Sequence, residues 1–313
     1  MALSASRSKN PASSLDQAGE LRRIVEQHRQ EGRVPTRLRT LAVLSGKGGV
    51  GKSNLAVNFA CGLAEQGQKV VLLDADLGLA NIDMLCGLHV KYSIADLIDG
   101  SRSLEDVLVE FGSNAWILPG GSGIKELADL DETHLSDLIN GLGVLEDRAD
   151  LLIVDTGAGI HKGVLAFANA ADSTLLVTTP EPTSIRDAYG VLKALTVSAK
   201  AAESTDISLV VNMVHNENEG LEVANRIRLA ASQFLGLSVG YLGCIPRDDC
   251  VGKAVLQRKP FYQLFPASLA TAGVKKLIMS YMKTSGPGLE NAVTPRGLKA
   301  FFFRLLRGHF VER

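Results

Sequence analysis

An apolar run at residues 41–45 leads into Gly46-Lys47-Gly48-Gly49-Val50-Gly51-Lys52-Ser53, and a helical stretch at residues 54–64 follows. G-x-x-x-x-G-K-S between a strand and a helix is the pattern of a phosphate-binding loop. Each residue type has its own reason. Glycines let the backbone wrap a polyphosphate, so that amide N–H groups and the helix N-terminus face the anion. Lys52 reaches the β- and γ-phosphates, and the Ser53 hydroxyl is placed to hold Mg²⁺. The competing reading is an ordinary glycine-rich turn, which does not explain why Lys52 and Ser53 follow Gly51. Lys47 is a second cation in the loop, either solvated or offsetting phosphate charge. Carboxylates stand at two further strand ends. Residues 70–73 run into Asp74-Ala75-Asp76, and residues 151–154 run into Asp155. The carboxyl ends of parallel strands are where ligands bind in open α/β sheets.

The elements that must hold these groups are legible as short apolar runs. Strands are expected at residues 41–44, 70–73, 115–118, 151–154, 174–178 and 207–212. Hydrophobicity that is continuous rather than alternating marks strands buried on both faces. The expected fold is therefore α/β, a single P-loop domain with a mostly parallel sheet covered by helices on both faces. Hydrophobic residues make up 46% of the 313 and charged ones 21%, enough for a full core and too apolar for disorder. Four cysteines, Cys61, Cys86, Cys244 and Cys250, include no C-x-x-C pair, which argues for reduced thiols rather than a metal or disulfide framework. The N-terminus lacks an apolar signal region and no apolar run approaches the ~20 residues that cross a bilayer. A soluble protein is expected.

The net charge of −1 conceals an asymmetry. Residues 1–40 carry eight Lys/Arg against four Asp/Glu, and residues 275–313 carry eight against two. The body between them holds 17 basic and 28 acidic residues, which argues against direct DNA binding. Three regions follow: a leader at 1–40 with a short helix at 14–29, a domain at 41–285, and a connector with a terminal helix at 286–313. Ser14 and Gln17 fit a capping box at the first helix. At the other end Thr294, Pro295 and Gly308 punctuate a helix at 295–308. Leu298, Phe301, Phe302, Leu305 and Leu306 share one face of it, with Arg296, Arg304 and Arg307 off that face. Such a helix is too short to span a membrane and suits anionic lipid as an interfacial anchor. A helix docked on the protein's own core is the alternative.

K-G-G-V-G-K-S resembles the deviant Walker A motif of the MinD/ParA ATPase family. The resemblance implies ATP and ADP as ligands with Mg²⁺, and a homodimer that sandwiches the nucleotides. Within it, Lys47 reaches across to the partner's phosphates, and the phosphate loop extends from Gly46 to Asn54. Asp76 orients the attacking water, with Asp74 beside the metal-and-water network. Asp155 holds Mg²⁺ through water, and a Gly159 amide senses the γ-phosphate. Asn212 and the loop Pro246-Arg247-Asp248 flank adenine. Absence of N-K-x-D agrees with adenine rather than guanine. The segment at residues 179–189 is similar to one near the family's dimer interface.

Asp16, Gln17, Ala18, Leu21 and Arg22 form D-Q-A-x-x-L-R, which resembles the activator motif of the family's flagellar number-and-placement regulators, the FlhG group. That likeness implies stimulation of an FlhF-type GTPase, with flagellar C-ring proteins or a transcriptional activator as further partners. It also implies a cytoplasmic protein peripherally bound to the inner membrane in its ATP state. A MinD-like division-site ATPase, a ParA-like partitioning ATPase and a nucleotide-gated adaptor with little enzymatic role are the alternatives.

Overall fold

The computed structural model describes residues 38–76, 81–121, 142, 143, 145, 146, 148–198, 206–284 and 297–309. Eight strands occur among them: β1 (Arg39–Ser45), β2 (Val70–Ala75), β3 (Val109–Gly112), β4 (Ala115–Leu118), β5 (Leu151–Ala158), β6 (Ser173–Thr178), β7 (Asp206–Val214) and β8 (Gly240–Pro246). They form one sheet in the order β3-β4-β2-β5-β1-β6-β7-β8. Every pairing is parallel except β3 with β4 at one edge. The helices described are α1 (Lys52–Glu65), α2 (Ile82–Cys86), α3 (Ile94–Ile98), α4 (Leu104–Val107), α5 (Lys162–Ala170), α6 (Pro182–Ser198), α7 (Glu217–Leu235), α8 (Asp249–Leu256), α9 (Phe261–Leu264), α10 (Leu269–Thr284) and α11 (Leu298–His309).

Alternation along each central strand divides its apolar side chains between two cores. Leu41, Val43, Leu151 and Ile153 pack with α1 and α10, through Phe59, Leu63, Val274 and Leu277. Ala42, Leu44, Leu152 and Val154 pack with α5, α6 and α7, through Phe167, Val191, Leu192 and Ile227. Each such Leu, Ile, Val or Phe side chain contributes about 1.5–3 kcal/mol when fully buried, which favours placing the most apolar strands centrally, covered on both sides. The six expected strands are all present. The edge strand β3 escapes the same reading because its residues are only partly covered.

The terminal helix takes the docked arrangement. Leu298, Phe301, Phe302 and Leu305 are buried, and they belong to the core that contains α5. The Phe301 ring stacks on Phe167 with centroids 6.3 Å apart and meets Phe302 edge-on at 5.2 Å. Arg304 donates from Nε to the Ala170 carbonyl at 2.7 Å and from Nη2 to Asp172 Oδ1 at 3.0 Å. The other Asp172 oxygen accepts from the Thr40 amide and hydroxyl at 2.9 and 2.8 Å. One carboxylate therefore ties α11 to the starts of β1 and β6. Among the described residues helix α11 runs from Leu298 to His309. The leader helix at 14–29, with Asp16, Gln17, Ala18, Leu21 and Arg22, lies outside the described residues, as do residues 286–296 and the Leu306 side chain. No helix among the described residues is long and apolar enough to cross a membrane.

Candidate functional site

The order β2-β5-β1 puts three loop-bearing strand ends side by side. Register pairs Val43 with Asp155 and Asp74 with Asp155, so both carboxylates arrive next to the phosphate loop. Within that loop Gly49 and Gly51 adopt φ of +82° and +87°, a region that L side chains rarely adopt. Gly51 is the N-cap of α1 and no side chain caps the helix there, which leaves the amino end directed at the loop. A Cβ on Gly48 or Gly49 would meet nothing within 4 Å. Gly46 is different: a Cβ there would fall 2.4 Å from the Asp187 carbonyl, so a glycine is required for α6 to pack against the loop.

Lys52 Nζ donates to Asp155 Oδ1 at 2.5 Å and stands 3.4 Å from Ser53 Oγ. The pair is dry, with side chains 7% and 1% exposed. Burial pushes the Asp155 carboxyl above its ordinary range, and the adjacent Lys52 charge opposes that rise. Asp76 faces the same space, with Oδ1 3.5 Å from where a Gly157 Cβ would lie, and its charge also acts on Asp155. A cradle of amides, a primary amine, a hydroxyl and carboxylates fits a nucleotide polyphosphate with Mg²⁺. Ser53 and Asp155 are the groups placed to hold the cation.

Asp74 stands beside them but is occupied. Its Oδ2 accepts from the Asn81 and Ile82 amides at 3.1 and 3.2 Å, and Oδ1 from the Asp76 amide at 3.3 Å. Burial, together with the Asp155 charge and against these amides, raises its pKa to about 6. Asp74 thus anchors the segment that carries Asp76. Gly159 is at φ +96° and its amide donates to the Ser45 carbonyl at 2.9 Å, which lays the segment after Asp155 against the base of the loop.

The adenine candidates gather at the ends of β7 and β8, where Asn212 pairs in register with Ile245. Asn212 Nδ2 donates to the Val50 carbonyl at 2.9 Å, and its Oδ1 accepts from the Met213 amide. It braces the phosphate loop, and a Cβ on Gly51 would lie 2.4 Å from that Nδ2. Arg247 donates its amide to the Val214 carbonyl at 2.9 Å. Asp248 accepts from the Cys250 amide at 2.9 Å and the Ala270 amide at 3.0 Å, capping α8 and joining it to α10. Pro246 lies against Gly273. Asn212 thus ties this segment to the phosphate loop, and Asp248 ties it to α8 and α10.

Lys47 pairs outside the phosphate loop. Nζ donates to Glu181 Oε2 at 2.6 Å and to Thr183 Oγ1 at 3.0 Å, at the start of α6. Both partners lie in the segment expected near a dimer interface, but charge pairing across 134 residues has no local signature in the chain.

Comparison with known proteins agrees with this geometry. The family model described as ParA, NUBPL iron-transfer P-loop NTPase, matches residues 37–281. The chain belongs to the ParA family. P-loop NTPases of this family are ATPases, and the chain is one. Among ParA-family relatives, the antiactivator FleN of Pseudomonas aeruginosa is 38% identical over 87% of this chain and 94% of its own length. The flagellum site-determining protein YlxH of Helicobacter pylori is 33% identical over 96% and 94%. MinD of Pyrococcus horikoshii, solved with Mg-ADP, superposes with a TM-score of 0.62 at 25% identity, covering 80% of this chain and 98% of that one.

Proposed function

We propose that the protein is an ATP-driven switch that regulates flagellar number and placement by pairing with a second copy of itself. One observation carries this reading. Lys47 lies in the phosphate loop, yet its ammonium pairs with Glu181 and Thr183 at the start of α6, whereas Lys52 pairs with Asp155. A loop cation that does not serve its own site is available to another.

ATP binding would exchange the Lys52–Asp155 pair for contacts between Lys52 and the β- and γ-phosphates. Mg²⁺, held by Ser53 and through water by Asp155, would supply charge neutralisation on the phosphate oxygens. The γ-phosphate would draw the Gly159 amide off Ser45, moving α5, which starts three residues later. Because α11 packs on α5, this links the nucleotide to the terminal helix and its apolar face. Released, Leu298, Phe301, Phe302, Leu305 and Leu306 would enter anionic lipid on the cytoplasmic side of the inner membrane. Asp76 would orient the attacking water, and Lys47 from the partner would complete the charge clamp. Phosphoryl transfer depends on positioning and charge, so hydrolysis is slow until the pair forms. The leader, with Asp16, Gln17, Ala18, Leu21 and Arg22, would stimulate an FlhF-type GTPase. Likeness to FleN and YlxH over nearly the whole chain supports the flagellar setting.

Asp76→Ala tests the cycle. The variant is expected to keep ATP affinity, lose hydrolysis by at least about 100-fold as a positioned catalytic group would, and accumulate as a dimer on anionic vesicles. Co-sedimentation and light scattering read this. A variant that binds ATP and remains monomeric and off vesicles contradicts the proposal.

A further inference from the structure

Two polar groups on one turn hold the Lys47 ammonium, and the turn itself is fixed. Glu181 Oε2 accepts at 2.6 Å and Thr183 Oγ1 at 3.0 Å. The Thr178 and Ser184 hydroxyls are 3.0 Å apart, and the Thr179 amide donates to Ser184 Oγ at 3.1 Å, closing the turn from inside the fold. The Glu181 carbonyl accepts from the Ile185 amide at 3.1 Å, so its carboxylate stands at the amino end of the 17-residue helix α6. That end favours negative charge. Gly46 packs directly on the Asp187 backbone, so the base of the phosphate loop and the start of α6 form one body. The lysine can leave this seat by side-chain rotation alone.

We infer that Glu181 and Thr183 form a seat in cis that competes with the placement of Lys47 on a partner's triphosphate, and so set the threshold for nucleotide-driven pairing. The inference rests on the reading that Lys47 acts in trans. Glu181 is here a positioning residue, acting only through Lys47. The charge balance is closed: each ammonium exchanges one carboxylate for phosphate oxygens of the other copy, and each seat is left as a solvated anion at a helix N-terminus. With side chains 31% and 66% exposed, the pair is a screened surface interaction and its effect is modest. Pairs of this kind change an equilibrium by about 3-fold each, and a dimer empties two seats, so the combined effect is about 10-fold.

The test measures the concentration for half-dimerisation by sedimentation velocity with a non-hydrolysable ATP analogue, in full-length protein. Glu181→Gln is expected to lower that concentration about 10-fold, and Thr183→Val to lower it by less. Lys47→Ala and Lys47→Ala/Glu181→Gln are expected to be equally monomeric. An unchanged or raised threshold in Glu181→Gln overturns the seat. Dimers of the double variant at concentrations where Lys47→Ala has none would also overturn it, since Glu181 would then repel the partner's phosphates without involving the lysine. Lys47→Ala that pairs as wild type does would remove the trans reading, and the seat with it.

Discussion

Replacing Lys52 with methionine is expected to destabilise the nucleotide-free protein by about 3–5 kcal/mol at neutral pH, the cost of breaking a buried ion pair from one side. The ammonium is the group that offsets Asp155, a carboxylate with 1% of its side chain exposed. Burial already raises the Asp155 pKa, and Lys52 is the main influence holding it down. Without Lys52 the carboxyl rises further and takes a proton in the folded state at a pH where the unfolded chain has lost it. A raised folded pKa favours folding below the unfolded value and loses that advantage as pH climbs through the folded one. The deficit relative to wild type is therefore larger at about pH 7.5 than at about pH 5. Asp155→Asn added to Lys52→Met should recover much of it, because the unpaired charge is gone. Urea unfolding without nucleotide measures all three. Equal deficits at the two pH values would mean that the lysine stabilises through packing rather than charge.

Phe167→Ala is expected to free the terminal helix without altering the helix itself. Phe167 is buried on α5 and receives the Phe301 ring. Losing a buried phenylalanine costs about 3–5 kcal/mol, and part of that loss falls on docking, while Leu298, Phe301, Phe302 and Leu305 stay intact. If docking and lipid compete for one apolar face, each ~1.4 kcal/mol removed from docking raises the released fraction tenfold. Nucleotide-free Phe167→Ala should then bind phosphatidylglycerol vesicles about 100-fold more tightly than wild type. Deleting residues 297–313 should abolish that gain. A variant that is destabilised yet stays off vesicles would make α11 a permanent part of the core.

Legibility in the chain follows the range of the interaction. Gly46–Ser53 can be read because a phosphate loop is local: turn glycines, lysine and hydroxyl are neighbours. The central strands can be read because burial on both faces leaves short, nearly continuous apolar runs. Strand β3 could not, being short, partly covered and paired antiparallel at an edge. The apolar face of α11 is evident from its period, but a period tells only that the face avoids water, not whether lipid or Phe167 covers it. Arg304 with Asp172 and Lys47 with Glu181 were invisible for a common reason. Their partners lie 132 and 134 residues away, and which distant charges meet is decided by strand order. Asp74 shows a further limit: the chain alone does not tell that three backbone amides donate to its oxygens.

Light scattering coupled to size-exclusion chromatography, on wild type and Lys47→Ala with ATP, with ADP and without nucleotide, bears most directly on the cation exchange between copies. Wild type should be a dimer with ATP and a monomer in the other two conditions, and Lys47→Ala a monomer in all three although it still binds ATP. Lys47→Ala that forms the ATP dimer and hydrolyses at the wild-type rate would leave a nucleotide-binding protein with no switch of the kind proposed.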